Sequence, residues 1–179
     1  MSTHTELLHR ELTDRNVDLL VAQRVGPLAD EQLGFEKLYD DSYAVVAYAQ
    51  NPWVRRRKIK LAELANELWA LPPPDTALGS VFKEAFLASG LDYPRATMFT
   101  VPADVRISLL ATGRFLSIFS TSRLKFPATR PHFKVLPVEL PLPPVPIGII
   151  TLRNRTLSPV TQLFIEHARE VAKPLARKW

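Results

Sequence analysis

The sequence predicts an α/β protein of two lobes joined by a pair of extended crossings. Three observations lead there. Short apolar runs alternate with segments of helical spacing along most of the chain, the pattern of strands followed by helices in a largely parallel sheet. One strand–helix set, residues 61–119, lies between two extended segments, 43–48 and 133–140. A closing strand and amphipathic helix, 144–153 and 160–172, follow a proline-rich stretch that a central strand cannot hold. Connection counting places residues 1–48 and 141–179 in lobe one and residues 49–140 in lobe two.

The elements follow in order. Leu7, Leu8 and Leu12 share one helical face, with Thr3 and Glu6 spaced as a capping box and Asn16 as the stop. Residues 17–22 form a continuous apolar run broken only by Asp18, as in a strand covered on both faces of a parallel sheet. Val25-Gly26-Pro27 opens a loop. Residues 35–49 hold two apolar pieces around Asp40 and Asp41, and the second, 43–48, is a strand. Asn51-Pro52 is a turn signal. Residues 61–67 predict a short helix, and 68–71 a buried strand that Pro72, Pro73 and Pro74 halt. Val81, Phe82, Ala85, Phe86 and Ala88 repeat at helical spacing, capped by Asp75 or Thr76 and stopped by Gly90. Residues 96–100 and 115–119 are strands around a helix that starts at Pro102 and ends at Gly113.

Composition narrows the function. The chain has 179 residues, 46% of them apolar and 23% charged, which suits one ordinary domain or two small lobes. It has no cysteine, so a disulfide framework and a thiolate nucleophile are excluded, and a reducing cytoplasm is the expected compartment. No apolar run approaches the ~18 residues that span a bilayer, and the first ten residues lack a signal peptide's apolar core. The net charge of +5 is scattered, and its one run, residues 55–58, reads as a solvated basic loop rather than a nucleic-acid patch.

No catalytic constellation, metal site or cofactor is expected. His4, His9, His132 and His167 lack metal-ligand spacing, and His167 reads as part of a solvated helix face. Ser117, Ser120 and Ser122 sit in no nucleophile elbow, and no glycine-rich phosphate loop is present. Trp69 reads as core, Trp53 as a loop residue at a hinge or contact, and Trp179 as a frayed terminus.

Several segments, taken in order, resemble the effector-binding domain of LysR-type transcriptional regulators. They are Asn16-Val17-Asp18-Leu19-Leu20-Val21, Leu38-Tyr39-Asp40-Asp41, Asn51-Pro52, Lys60-Leu61-Ala62-Glu63-Leu64-Ala65 and Leu109-Leu110-Ala111-Thr112-Gly113-Arg114. Leu136-Pro137-Val138-Glu139-Leu140 and Thr151-Leu152-Arg153 with the closing helix complete the series. The resemblance implies the two-lobed, type 2 fold of periplasmic binding proteins, a small and often anionic or aromatic effector between the lobes, and a homo-oligomer. It implies DNA contact only through a winged helix-turn-helix, which has no counterpart in these residues. The family's first strand, helix and second strand of lobe one have none either, so lobe one is expected to be incomplete. Strand 17–22 is then expected to present an open edge that pairs with another chain.

On such a fold a ligand lies where the carboxyl ends of strands meet helix N-termini, whose free N–H groups favour carboxylates. The sequence offers Pro74, Asp75 and Thr76 before one helix, Thr100 and Val101 before the next, and Thr112 and Gly113 between helix and strand. A plain cap explains Asp75 and Thr76 equally well, a β-branched strand end explains Thr100 and Val101, and a C-cap explains Gly113. Arg24 stands where the resemblance implies a cationic effector anchor; the alternative is a surface arginine. The main expectation is therefore a ligand-sensing and oligomerising module, not an enzyme. Its rivals are a dimerising fragment without ligand and a solute-binding or enzymatic variant of the same fold.

Overall fold

The structure is a computed structural model. It describes residues 4–24, 31–95, 97–125 and 133–176, the side chains of 4–7 and 97 excepted. The loop expected at 25–27, the Thr3 cap, His132 and Trp179 lie outside the described residues. The chain divides into two compact units, Met1–Asp41 with Pro144–Trp179, and Ser42–Pro143.

The first unit is a three-stranded sheet between two helices. Strands β1 (Leu20–Gln23), β8 (Val145–Leu152) and β2 (Leu33–Asp41) lie in the order β1-β8-β2. Both pairings are antiparallel, with Leu20 and Phe35 each opposite Ile150. Helix α1 (His4–Thr13) brings Leu12 onto the face of Leu20, Ala22, Leu33, Phe35 and Ile150. It ends because Arg15 turns into the left-handed region at φ 63° and Asn16 N–H returns to the Glu11 carbonyl at 2.9 Å. Helix α5 (Pro159–Ala172) runs along the opposite face, above Val21 and Ile147. Ser158 caps it by accepting from Thr161 N–H at 3.2 Å, and Pro159 occupies a first-turn position that needs no donor.

Three expectations about this unit are corrected. The strand expected at 17–22 pairs only from Leu20, and its pairing is antiparallel. Asp18 explains the delay: it accepts from Thr161 Oγ1 at 3.0 Å and pairs with Arg155, so it serves the start of α5 instead of a ladder. Pro146 lies inside the central strand β8, although its prolines were expected to exclude it. Its carbonyl accepts from Arg24 N–H at 2.9 Å, one residue past the end of β1, so its missing donor falls where that ladder has already stopped.

The second unit is a five-stranded mixed sheet ordered β5-β4-β6-β3-β7. The strands are β3 (Tyr43–Tyr48), β4 (Leu68–Leu71), β5 (Thr97–Phe99), β6 (Phe115–Ser120) and β7 (Phe133–Val135). β4 runs parallel to β5 and β6, while β3 is antiparallel to β6 and β7. Alternation along the strands separates two faces. Val45, Ala47, Trp69, Leu71, Leu116 and Ile118 meet α2 (Ala77–Ala88) through Phe82 and Phe86. Val46 and Phe119 meet α3 (Ala103–Ala111) through Ile107 and Leu110, together with Leu124 of α4 (Thr121–Lys125). Burial of each large side chain contributes about 1.5–3 kcal/mol. Trp69, fully buried as expected, also donates Nε1–H to the Leu64 carbonyl at 2.8 Å.

Two further differences concern extent. β3 hydrogen-bonds to strands on both sides, so residues 43–48 belong wholly to the second unit, where the sequence reading set the boundary after 48. Only Phe133–Val135 of the segment 133–140 pairs as a strand; beyond it Leu136, Val138, Leu140 and Leu142 pack along the α2-side core. The short helix expected at 61–67 is present as a 3-10 helix over Leu61–Leu64.

Candidate functional site

Parallel pairing fixes which ends of the second unit's strands come together. The carboxyl ends of β4 and β5 lie side by side, Leu71 opposite Phe99, and α2 and α3 start from the loops that leave them. This edge holds Pro74, Asp75 and Thr76 after β4, and Thr100 and Val101 after β5. Thr100 N–H donates to the Leu71 carbonyl at 2.9 Å and so prolongs the pairing to the edge. Thr100 is half-buried, and Val101 is exposed.

Thr76 is the N-cap of α2. Its hydroxyl accepts from Gly79 N–H at 3.1 Å and donates to the Pro73 carbonyl at 2.7 Å. The cap is tight because a Cβ at residue 79 would sit 1.8 Å from the Pro73 oxygen; only glycine permits the approach. Asp75 is exposed. The start of α3 is different. Its N-cap is Pro102, which offers no side-chain acceptor, so no cap bonds its first-turn N–H groups.

Thr112 and Gly113 are not at this edge. They precede β6, which is parallel to β4, and therefore lie at the opposite end of the sheet. Thr112 hydroxyl donates to the Leu109 carbonyl at 2.7 Å, and Gly113 takes φ 76° as the stop of α3. The Gly113 carbonyl accepts from Asn51 Nδ2 at 3.0 Å. Arg24 belongs to the first unit, exposed, with its guanidinium 4.8 Å from the centre of the Phe35 ring. Five of the eight sequence-predicted site residues thus share one edge, and three do not.

One residue that the sequence reading passed over is Arg106. It is 5% exposed, on α3, and its guanidinium lies 4.8 Å from the Phe119 ring centre. Nη1 makes a long 3.5 Å bond to the Ile118 carbonyl, and Nε has no partner. Nearby, Tyr93 donates its hydroxyl to the Pro72 carbonyl at 3.0 Å and stacks on Phe99. Burial pushes the Tyr93 pKa up, and the Arg106 charge pulls the other way. The available signal was an arginine inside the apolar run of α3, flanked by Val105, Ile107, Leu109 and Leu110.

Chemistry of bond making finds no support among the described residues. Ser117 is buried and donates to the Ala70 carbonyl at 2.6 Å, and no group of three acidic or imidazole side chains is placed to hold a metal ion. No described helix is long and apolar enough to cross a membrane. His167 is exposed, as expected of a solvated face, and it also borders an apolar groove of about 350 Å³ with Val21, Ile147, Phe164 and Val171.

Comparison with known proteins gives one family. Residues 1–173 match the family described as the LysR substrate binding domain. No curated protein sequence matches the chain. Among solved structures, the CcmR regulatory domain from Synechocystis PCC6803 in complex with 2-PG is similar, with a TM-score of 0.74 and 18% identity, over 96% of this chain and 80% of that one. The effector-binding domain of QuiR in complex with shikimate gives 0.72 and 19%, over 95% and 78%. The BenM effector-binding domain with benzoate gives 0.71 and 18%, over 98% and 78%. At these identities the likeness is one of fold: the type 2, periplasmic-binding-protein-like fold of LysR effector-binding domains.

Proposed function

The chain belongs to the LysR substrate-binding domain family, a family of transcriptional regulators, and on that footing we propose that it senses a small anionic or aromatic effector. The observation that carries this reading is the pairing of two helix starts at one sheet edge, where the Thr76 hydroxyl caps α2 and the first-turn N–H groups of α3, just past Thr100, have no side-chain cap. Similar domains hold shikimate and benzoate, both carboxylates, which fits that chemistry. Pro74, Asp75, Thr76, Thr100 and Val101 are assigned to the effector. Thr112 and Gly113 hold the loop at the opposite end of the sheet. In this reading the protein works in the cytoplasm, without a cofactor, and DNA is reached only through a winged helix-turn-helix. Effector binding shifts a conformational population instead of driving a reaction.

A thermal-shift screen of small carboxylates, phenolics and sugars tests the proposal. A ligand at a hundredfold its Kd stabilises the folded state by about 2.7 kcal/mol. A saturable hit that weakens in Thr76→Val supports the reading; a flat response to the whole panel contradicts it.

A second reading, self-association, is favoured by the first unit. β1 pairs with β8 on one side and has no strand on its other side among the described residues. Beside it Val21, Leu163, Phe164 and Val171 are about half exposed or more. We place the homo-oligomer contact there.

A further inference from the structure

We propose that Arg106 is the anchor for an oxyanion of the effector, carboxylate or phosphate, held between its guanidinium and the uncapped start of α3. The inference rests on the effector reading above and adds the charge class of the ligand and the residue that selects it.

Four observations support it. Arg106 is 5% exposed, yet the described residues give it one long hydrogen bond and no carboxylate partner. A buried guanidinium without a counter-charge is expensive, and such groups are ordinarily paired. The nearest acid on its own helix, Asp104, is exposed and lies against Arg123 at 3.4 Å. Arg123 stands over the same Phe119 ring, 5.7 Å from its centre, so a second cation adds to the positive field.

The position is the edge assigned to the effector. Nη1 reaches Ile118 in the carboxyl-terminal half of β6, the strand parallel to β4. Helical side chains lean toward the N-terminus, so Arg106 leans toward the Pro102 cap, where first-turn N–H groups find no side-chain acceptor. A planar fork and free amides at one place suit a planar two-oxygen acceptor. Burial first, and the Arg123 charge second, push the guanidinium pKa down, the direction expected where no anion offsets the charge.

The test compares the full chain with Arg106→Met and Arg106→Lys, using sodium benzoate, inorganic phosphate and the neutral benzamide at matched ionic strength. Isothermal titration and thermal unfolding are read together with the Arg106 Nε–H resonance. The expected result is saturable binding of benzoate or phosphate, at least tenfold weaker in Arg106→Met and intermediate in Arg106→Lys, with no response to benzamide. The wild-type Nε–H resonance moves on titration, a readout that does not depend on either variant folding. Equal anion binding in Arg106→Met, or an unmoved Nε–H resonance, overturns the proposal. Binding of benzamide without any anion response also overturns it while leaving the effector reading intact. Silence toward both anions overturns it as well, and the wider panel then decides the effector reading separately.

Discussion

Asn51 Nδ2 donates to the Gly113 carbonyl at 3.0 Å, across sixty-two residues of sequence, while Asn51 Oδ1 accepts from Trp53 N–H at 3.0 Å. The turn after β3 and the stop of α3 are thereby one structure. Asn51 is 3% exposed, so its amide has no water to replace these partners. Two segments that carried the family resemblance, Asn51-Pro52 and the run ending in Gly113, are joined by this bond.

Asn51→Ala leaves the Trp53 N–H and the Gly113 carbonyl without these partners. The expected loss is about 1–3 kcal/mol of stability, read from the urea midpoint at unchanged slope. Asn51→Asp keeps an acceptor for Trp53 N–H but turns a carboxylate oxygen toward the Gly113 carbonyl in a buried place, so its loss is expected to be at least as large as that of Asn51→Ala. A midpoint equal to wild type in Asn51→Ala contradicts the assigned role.

Gly79→Ala places a methyl against the Pro73 carbonyl, where the gap is 1.8 Å. The backbone at 73–76 must move, which disturbs the Thr76 cap and the assigned effector edge together. Stability is expected to fall by about 1–3 kcal/mol, and the affinity for any hit of the screen falls with it. Gly113→Ala is the control at the opposite end. Its Cβ meets only ordinary van der Waals contact, 3.7 Å from Gln50, and the cost comes from φ 76°, about 1–2 kcal/mol. Effector affinity in the folded Gly113→Ala protein is expected to match wild type.

Glu36 on β2 and Arg169 on α5 form a two-pronged ion pair at 2.6 and 2.9 Å. Its hydrogen bond to Arg169 lowers the Glu36 pKa below the usual 4.5, with burial opposing. A depressed folded-state pKa means that the unfolded chain binds the proton more readily. The stabilisation is therefore present above the unfolded pKa, near pH 4.5, and is lost as pH falls through the lower folded value. Both side chains are well exposed, so solvent screening keeps the contribution small. Glu36→Gln is expected to flatten this part of the stability–pH curve, and an unchanged curve contradicts the pair's role.

The open side of β1 and the half-exposed apolar residues of α5 predict self-association. Sedimentation at micromolar concentration is expected to show a dimer or larger species. Val21→Lys and Phe164→Glu are expected to shift it toward monomer, since each places a charge on the apolar face beside the edge. A monodisperse wild-type monomer contradicts this part of the account.

The sequence made the second unit legible because its signals were local. The prolines after Leu71 stopped β4, Thr76 and Gly90 bounded α2, and short apolar runs marked β3 and β6. The first unit was harder, because its pairing is long-range. Nothing near residues 17–22 told that their partner was the strand at 145–152, or that Asp18 was reserved for Thr161 and Arg155. Pro146 misled for the same reason, since its tolerance depends on where β1 ends. At the site, chain order alone put Thr112 beside Thr76 and Thr100, and only the parallel direction of β6 moved it to the far end. Arg106 was hidden by its apolar neighbours, because its missing counter-charge appears only once α3 lies on the sheet.

The most direct measurement is a map of amide chemical shifts in the isotope-labelled chain, titrated with the best compound of the carboxylate, phenolic and sugar panel. The account predicts saturable shifts concentrated at residues 72–76, 100–106 and 118–122. No shift with any compound, or shifts confined to 50–58 and 112–114 at the other end of that sheet, would contradict it.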